Sequence, residues 1–352
     1  MDVFWILTYA WEQGERVKRS IRMSIENVFD KSFRGCAVIT EKNKVLLKKA
    51  FGYADLPNKV DNDYDTKFAT ASAGKVFVAV GILQLIEKHL INFKDTIGEI
   101  LDFDLKQIDR GITIEELLTH TSGIPDYFDE SVMSEYEDLW IDFPNYKIRS
   151  NQDLLPLFVD KPMMYPRGTK FQYNNTGFVV LALIIEKITG IEFDKYLSDN
   201  VFTPSMMLNT GYYELDMLPA KCAVNYIYDE RSGGYRTNIF SVDAKGTGAG
   251  GAFTTVADIK SFWDCLLSYK LLSESMTKNM ISNHSGKDEC YGYGIWLRKV
   301  KGRFAPYFQG CDPGVSFITS YNIPNQLMVV LVSNYGDNVW KLLENINNYF
   351  FE

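Results

Sequence analysis

Phe68-Ala69-Thr70-Ala71-Ser72-Ala73-Gly74-Lys75-Val76-Phe77-Val78-Ala79-Val80 opens an apolar run that continues to Leu90 with no proline and one glycine. A run of that length and composition predicts a buried helix. Ser72 and Lys75 are three residues apart, about one helical turn, so they are expected to share a face at its start. The N–H groups of a first turn lack intrahelical partners and favour negative charge. A serine oxygen that becomes nucleophilic beside an amine is well placed there, since serine alone is a poor nucleophile and needs a neighbouring base.

Ser-x-x-Lys by itself says little. A second copy, Ser275-Met276-Thr277-Lys278, lies in a polar segment, and either copy read alone is a helix start with a solvated lysine. The rest of the chain must separate the two.

The chain has 352 residues, 46% of them apolar and 23% charged, which fits a globular protein of about two lobes. Its net charge of −8 and lack of a long basic run argue against a nucleic-acid partner. The cysteines, Cys36, Cys222, Cys265, Cys290 and Cys311, are scattered and odd in number, which suits neither a disulfide framework nor a zinc site. His89, His120 and His284 lack metal-ligand spacing, so no metal or other cofactor is expected. Met1 to Trp11 is apolar but short, carries Asp2 and has no basic start, and is read as neither a signal peptide nor a membrane span. The compartment stays open with a lean to the cytoplasm, and the oligomeric state is left unassigned.

In chain order, Val17, Ile21, Ile25 and Val28 predict an amphipathic helix over 14–31. Cys36–Thr40 and Val45–Leu47 flank a polar turn and predict a hairpin. Thr113-Ile114-Glu115-Glu116 reads as a capping box that starts a short helix. Residues 124–165, aromatic and acidic, are expected to form a surface excursion over part of a cleft. Val179 to Ile188 reads as a helix ended by Gly190, and a further helix is expected after Thr254-Thr255. Strands are expected at 291–296, 315–319 and 327–332, and a helix from Asp337. Strands at both chain ends and helices between them predict an α+β fold with an antiparallel sheet. Residues 1–70 and 285–352 would make the sheet lobe and residues 71–284 a mostly helical lobe, with the site in the cleft between them.

The order of motifs then becomes informative. Ser72-x-x-Lys75 precedes His120-Thr121-Ser122-Gly123, then Tyr173-Asn174-Asn175, a glycine cluster at 246–251 and a Pro313-Gly314 turn. This resembles the serine β-lactamase-related family: class C β-lactamases, low-molecular-weight penicillin-binding proteins (D-alanyl-D-alanine carboxypeptidases), and their esterase and D-aminopeptidase relatives. The resemblance covers nearly the whole chain and selects the first Ser-x-x-Lys copy. It implies a β-lactamase/transpeptidase-like fold and a serine hydrolase working through an acyl-enzyme on Ser72, with Lys75 orienting Ser72 and sharing its proton. Tyr173, from the chain's one Tyr-x-Asn, would act as general base, its phenol easier to ionise beside a lysine ammonium. Asn175 would hydrogen-bond Lys75 or substrate. The Ser72 and Cys311 N–H groups would form the oxyanion hole. His120 receives no catalytic role.

The third motif departs from the family. Where relatives have Lys-Thr-Gly or His-x-Gly, this chain has Phe308-Gln309-Gly310. The glycine would let substrate backbone lie close to the strand. The cation that holds a β-lactam or D-alanine carboxylate in relatives is missing. Phe308, Gln309, Gly310 and Cys311 are therefore expected to line a substrate site suited to small esters, amides or D-amino-acid peptides. The alternative is a catalytically impaired relative that binds a peptide-like ligand in the same cleft. A Phe308→His change is expected to raise activity on carboxylate-bearing substrates.

Overall fold

A computed structural model of the chain describes residues 25–29, 32–286, 290–300 and 303–351. Most of the helix expected over 14–31 lies outside the described residues. Six strands form one antiparallel sheet. They are β1 (Gly35–Glu41), β2 (Lys44–Phe51), β3 (Trp296–Val300), β4 (Arg303–Asp312), β5 (Val315–Asn322) and β6 (Leu327–Ser333), in the order β2-β1-β6-β5-β4-β3. The first and last parts of the chain meet where β1 pairs with β6, Cys36 opposite Val332 and Ile39 opposite Val329. Lys42 and Asn43 both have positive φ, the two-residue turn whose twist matches a hairpin.

The central strands β1 and β6 carry near-continuous apolar runs, Cys36–Ile39 and Leu327–Val332, because both faces of the sheet are covered. Cys36, Val38, Val330, Val332, Phe308 and Phe317 join the main core on one side. Ala37, Ile39, Val329, Leu331 and Ile318 pack on the other against Val339, Leu342, Leu343 and Ile346. These last four come from the C-terminal helix, Val339–Phe351.

Two helices form the middle of the main core. The first, α1 (Lys75–Glu87), is buried from Lys75 to Ile86, which is why its sequence is apolar all round rather than on one stripe. The second, α2 (Asn175–Thr189), is buried from Asn175 to Ile185 and stops at Gly190 in the left-handed region. A third, α3 (Val256–Leu267), begins at a Thr255 cap and places Phe262 and Trp263 against the sheet. The Thr113 capping box is present, with the Thr113 side chain accepting from the Glu116 N–H.

Two expectations are corrected. The strand expected at 291–296 begins only at Trp296. Gly294 has a φ of +67°, and a Cβ there would lie 2.3 Å from the Ala79 Cβ, so this stretch is a bend pressed against α1. Residues 124–165 are more than a surface excursion: Ile124, Tyr127, Ile148, Leu154 and Phe158 are buried in the main core.

Candidate active site

Ser72 lies in a single 3₁₀ turn, Ala71–Gly74, immediately before α1 rather than within its first α-helical turn. Lys75 Nζ still reaches Ser72 Oγ, at 2.9 Å. It also donates to Asn175 Oδ1 at 2.8 Å and to the Ala249 carbonyl at 2.5 Å. Those three acceptors match the three donors of an ammonium. Lys75 is 2% exposed, and burial lowers it to about 8, against the opposing pull of Glu130, Asp126, Asp312 and Asp243. A minor neutral fraction, about a tenth at pH 7, is therefore available, and a neutral amine can accept the Ser72 proton.

The turn is held from outside. Ala71 has a φ of +47°, a conformation that is unfavourable for a residue with a Cβ. Its carbonyl accepts from the Gly251 N–H at 3.0 Å, so the glycine cluster fixes the residue before the nucleophile. On the opposite side lies Gly310 of β4. A Cβ there would sit 2.2 Å from the Thr70 carbonyl oxygen and 2.6 Å from the Ser72 nitrogen. The glycine is thus needed for close approach of the Ser72 turn itself, where the sequence suggested substrate backbone.

Tyr173 and Asn175 enter on the loop that starts α2. Asn174 caps that helix, its Oδ1 accepting from the Gly177 N–H at 2.8 Å. Buried Asp126 accepts from the N–H groups of Asn175 (2.8 Å) and Thr176 (3.0 Å) and from the Thr176 hydroxyl (3.1 Å). A carboxylate on a helix N-terminus is favourable in itself, and here it also fixes Asn175 beneath Lys75. The Asn174 N–H donates to His120 Nδ1 at 3.2 Å. His120 is buried, and burial with the nearby Lys75 charge holds it well below its usual range, so it is a neutral support behind Tyr173. Asp126 was not singled out by sequence: it stands some fifty residues from the helix it caps, and no local pattern joins them.

The Tyr173 ring lies between His120 and Trp296, with Lys75 Nζ 5.0 Å from its centroid. The expected easier ionisation of its phenol is not found. Burial, then the Glu130 charge, push it well above the usual tyrosine range, and its hydrogen bond with Ser72 only partly opposes this. In the resting site Lys75 is the group nearer to a basic form.

A cavity of about 860 Å³ opens over these residues. Ser72, Tyr173, Asn175, Gln309, Gly310 and Cys311 all line it. Gln309 Oε1 accepts from Trp340 Nε1 at 2.8 Å, which ties β4 to the C-terminal helix. Among the described residues no three His, Cys, Asp or Glu side chains are grouped to hold a metal ion, and no helix is long and apolar enough to cross a membrane.

The comparisons with known proteins agree with this architecture. The family model described as Beta-lactamase matches residues 24–345. The chain belongs to the beta-lactamase family. Penicillin-binding protein 4* of Bacillus subtilis (strain 168) is 28% identical over 90% of this chain and 73% of its own length. Teichoic acid D-alanine hydrolase of Staphylococcus aureus is 26% identical over 90% of this chain and 74% of its own. The crystal structure of a penicillin binding protein from Bacillus halodurans superposes with a TM-score of 0.88 at 34% identity, covering 93% of this chain and all (100%) of that one. The D-amino acid amidase of Ochrobactrum anthropi SV3 shares the fold at 20% identity, with a TM-score of 0.75 and coverage of 94% and 99%.

Within this beta-lactamase fold, Phe308 does not stand where its expected substrate-binding role requires. It is 2% exposed and packs against Trp263, Phe262, Phe317 and Phe77, with ring centroids 5.2 to 6.3 Å away. Side chains alternate along a strand, and Phe308 falls on the face turned to the helical core. Phe308→His therefore places no cation in the cleft. The imidazole would enter an apolar cluster with lost ring packing and no designed partner, a cost of about 2–4 kcal/mol. The expected result is a lower thermal midpoint with no gain on carboxylate-bearing substrates. Unchanged stability with a gain of tenfold or more would show that the ring faces the cleft.

Proposed function

We propose that this chain is a serine hydrolase that works by acyl transfer on small esters or amides. The observation that carries this reading is the buried Lys75 amine, 2.9 Å from Ser72 Oγ and tied to Asn175. Ser72 Oγ attacks the carbonyl carbon as its proton passes to neutral Lys75 Nζ. The carbonyl π bond opens onto oxygen, and the Ser72 and Cys311 N–H groups receive the negative charge. When the tetrahedral species collapses, the bond to the leaving group breaks and the leaving group takes a proton through the Tyr173 hydroxyl, leaving an ester on Ser72. Water, deprotonated by the same pair, then releases the acid and restores the serine.

The relatives support a hydrolase on D-amino-acid derivatives: one is named a teichoic acid D-alanine hydrolase and a protein of the same fold a D-amino acid amidase. The ligand-binding alternative rests on the missing third-motif cation, and the contacts that join Ser72, Lys75 and Asn175 favour the hydrolase over it.

The test is turnover of p-nitrophenyl acetate across pH. This substrate carries no ionisable group, so its profile reports the protein. Since burial lowers Lys75 to about 8 and the neutral amine is the active form, kcat/KM rises with pH and levels off above about 8. It falls about tenfold per unit below that, the slope of a single required deprotonation. The midpoint belongs to Lys75 together with Glu130, Asp126, Asp312 and Asp243, which face it. A profile flat from pH 6 to 10 would contradict Lys75 as the base, and no turnover at any pH would contradict the hydrolase.

A further inference from the structure

The Gln309 amide has a fixed orientation. An indole N–H donates and never accepts, so the Trp340 Nε1 contact at 2.8 Å identifies the Gln309 atom it meets as Oε1. The amide cannot turn over without losing that bond. Its Nε2 is left with two N–H groups and no partner among the described residues, on a half-buried side chain of the cavity lining.

We propose that Trp340 is a positioning residue that fixes Gln309 as a hydrogen-bond donor to the substrate, and that the cleft thereby selects leaving groups that carry an uncharged acceptor oxygen, as in a ketone, ether or ester. The inference rests on the serine-hydrolase reading and assigns the specificity of its leaving-group side.

Position supports this. Side chains alternate along a strand, so Tyr307, Gln309 and Cys311 share one face of β4, opposite to Phe308. Trp296 of β3 pairs with Tyr307 and stacks on it at 6.3 Å, and its ring also stacks on Tyr173 at 5.9 Å. The strip that holds Gln309 therefore runs on from Tyr173, the group that passes a proton to the leaving group. Trp340 lies in the first turn of the C-terminal helix, and Trp296, Gln309 and Trp340 all line the cavity. Two indoles and one oriented amide make an apolar subsite with a precisely placed polar group, the usual form of a site that discriminates among small molecules.

Charge decides which oxygen fits. The charged side chains that line the cavity, among the described residues, are Glu130, Glu135, Glu137, Asp243, Asp312 and Arg236. Arg236 Nη2 already donates to both Glu137 oxygens, at 2.7 and 3.0 Å. An anionic oxygen would meet several carboxyl groups and no unengaged cation of the lining. A group with donors alone would leave the Gln309 N–H groups unpaired. A neutral acceptor satisfies them without adding charge.

The test compares m-acetylphenyl acetate with m-(trifluoromethyl)phenyl acetate, esters of similar leaving-group acidity of which the first presents a carbonyl oxygen. Their kcat/KM ratio, divided by the same ratio for hydroxide, reports the contact. It is expected at about fivefold in the wild type, the worth of a neutral hydrogen bond. In Gln309→Met, which has no N–H to offer, it falls to about unity. In Trp340→Phe it falls about twofold, because the freed amide presents Oε1 as often as Nε2. Adding Trp340→Phe to Gln309→Met changes it no further, the signature of one shared contact. A structural role alone for Trp340 would slow both esters equally and leave the ratio where it was. Calorimetric binding of m-hydroxyacetophenone and m-(trifluoromethyl)phenol to the Ser72→Ala protein gives the same preference without turnover.

A wild-type ratio near unity, with p-nitrophenyl acetate still turned over through Ser72, overturns the inference and leaves the hydrolase standing. A ratio unchanged in Trp340→Phe overturns the assignment to Trp340, and one unchanged in Gln309→Met overturns the assignment to Gln309. If no ester turns over, the hydrolase reading fails and the calorimetric comparison alone decides whether the cleft prefers the acceptor.

Discussion

Replacing Ser72 by alanine is expected to lower turnover of p-nitrophenyl acetate by about a thousandfold or more, the scale seen when a serine hydrolase loses its nucleophile. The side chain removed is a single hydroxyl in a 3₁₀ turn that is held by other groups. Ala71 is fixed by the Gly251 N–H, and Gly310 presses on the turn from β4. The fold should therefore survive, with a thermal midpoint within a few degrees of the wild type. The lost hydroxyl leaves Lys75 Nζ with Asn175 and the Ala249 carbonyl as acceptors. Residual turnover above about a tenth of the wild-type rate, from a folded Ser72→Ala protein, would mean that another group attacks the substrate.

The second large effect is expected from Lys75→Met, which keeps an unbranched side chain, one atom shorter, and removes the amine. Activity should again fall by about a thousandfold, because Ser72 loses the group that accepts its proton. Stability responds to two opposing changes. Asn175 Oδ1 and the Ala249 carbonyl lose a donor, about 1–3 kcal/mol each where buried. Against this, a buried cation is no longer taken out of water, a penalty of several kcal/mol per ion. The expected outcome is a folded, inactive protein, measured by thermal unfolding beside kcat/KM. Activity within tenfold of wild type would remove Lys75 from the reaction.

The sequence made some features legible and hid others for physical reasons. Ser72-x-x-Lys75 and Tyr173-x-Asn175 are local patterns, and the elements that carry them are strongly marked: an apolar run without proline, and a helix with an Asn174 cap and a Gly190 stop. The central strands β1 and β6 were equally plain, because strands covered on both faces read as continuous apolar segments, whereas β3 and β4 were not read as strands in their own right.

Phe308 was misjudged because strand alternation does not say which face is turned to the core. That depends on Phe77, Phe262 and Trp263, which reach it from two helices. The Tyr173 phenol was misjudged because a nearby cation is visible in the sequence and burial is not. The acidic character of the cleft could not be read at all. Glu130, Asp243 and Asp312 come from three segments that meet only in the folded chain. The one available signal was Asp312, beside the Gly310-Cys311 pair that had already been singled out.

The most direct measurement of the central claim is intact mass after incubation with a fluorophosphonate and, separately, with benzylpenicillin, for the wild type and Ser72→Ala. The account predicts a single fluorophosphonate adduct on the wild type and none on Ser72→Ala, since only an activated serine displaces the fluoride. It also predicts little or no penicillin adduct, since the cleft offers carboxyl groups where a penicillin carboxylate needs a cation. A wild-type protein that takes up no fluorophosphonate, or a Ser72→Ala protein that takes up as much, would contradict Ser72 as the nucleophile.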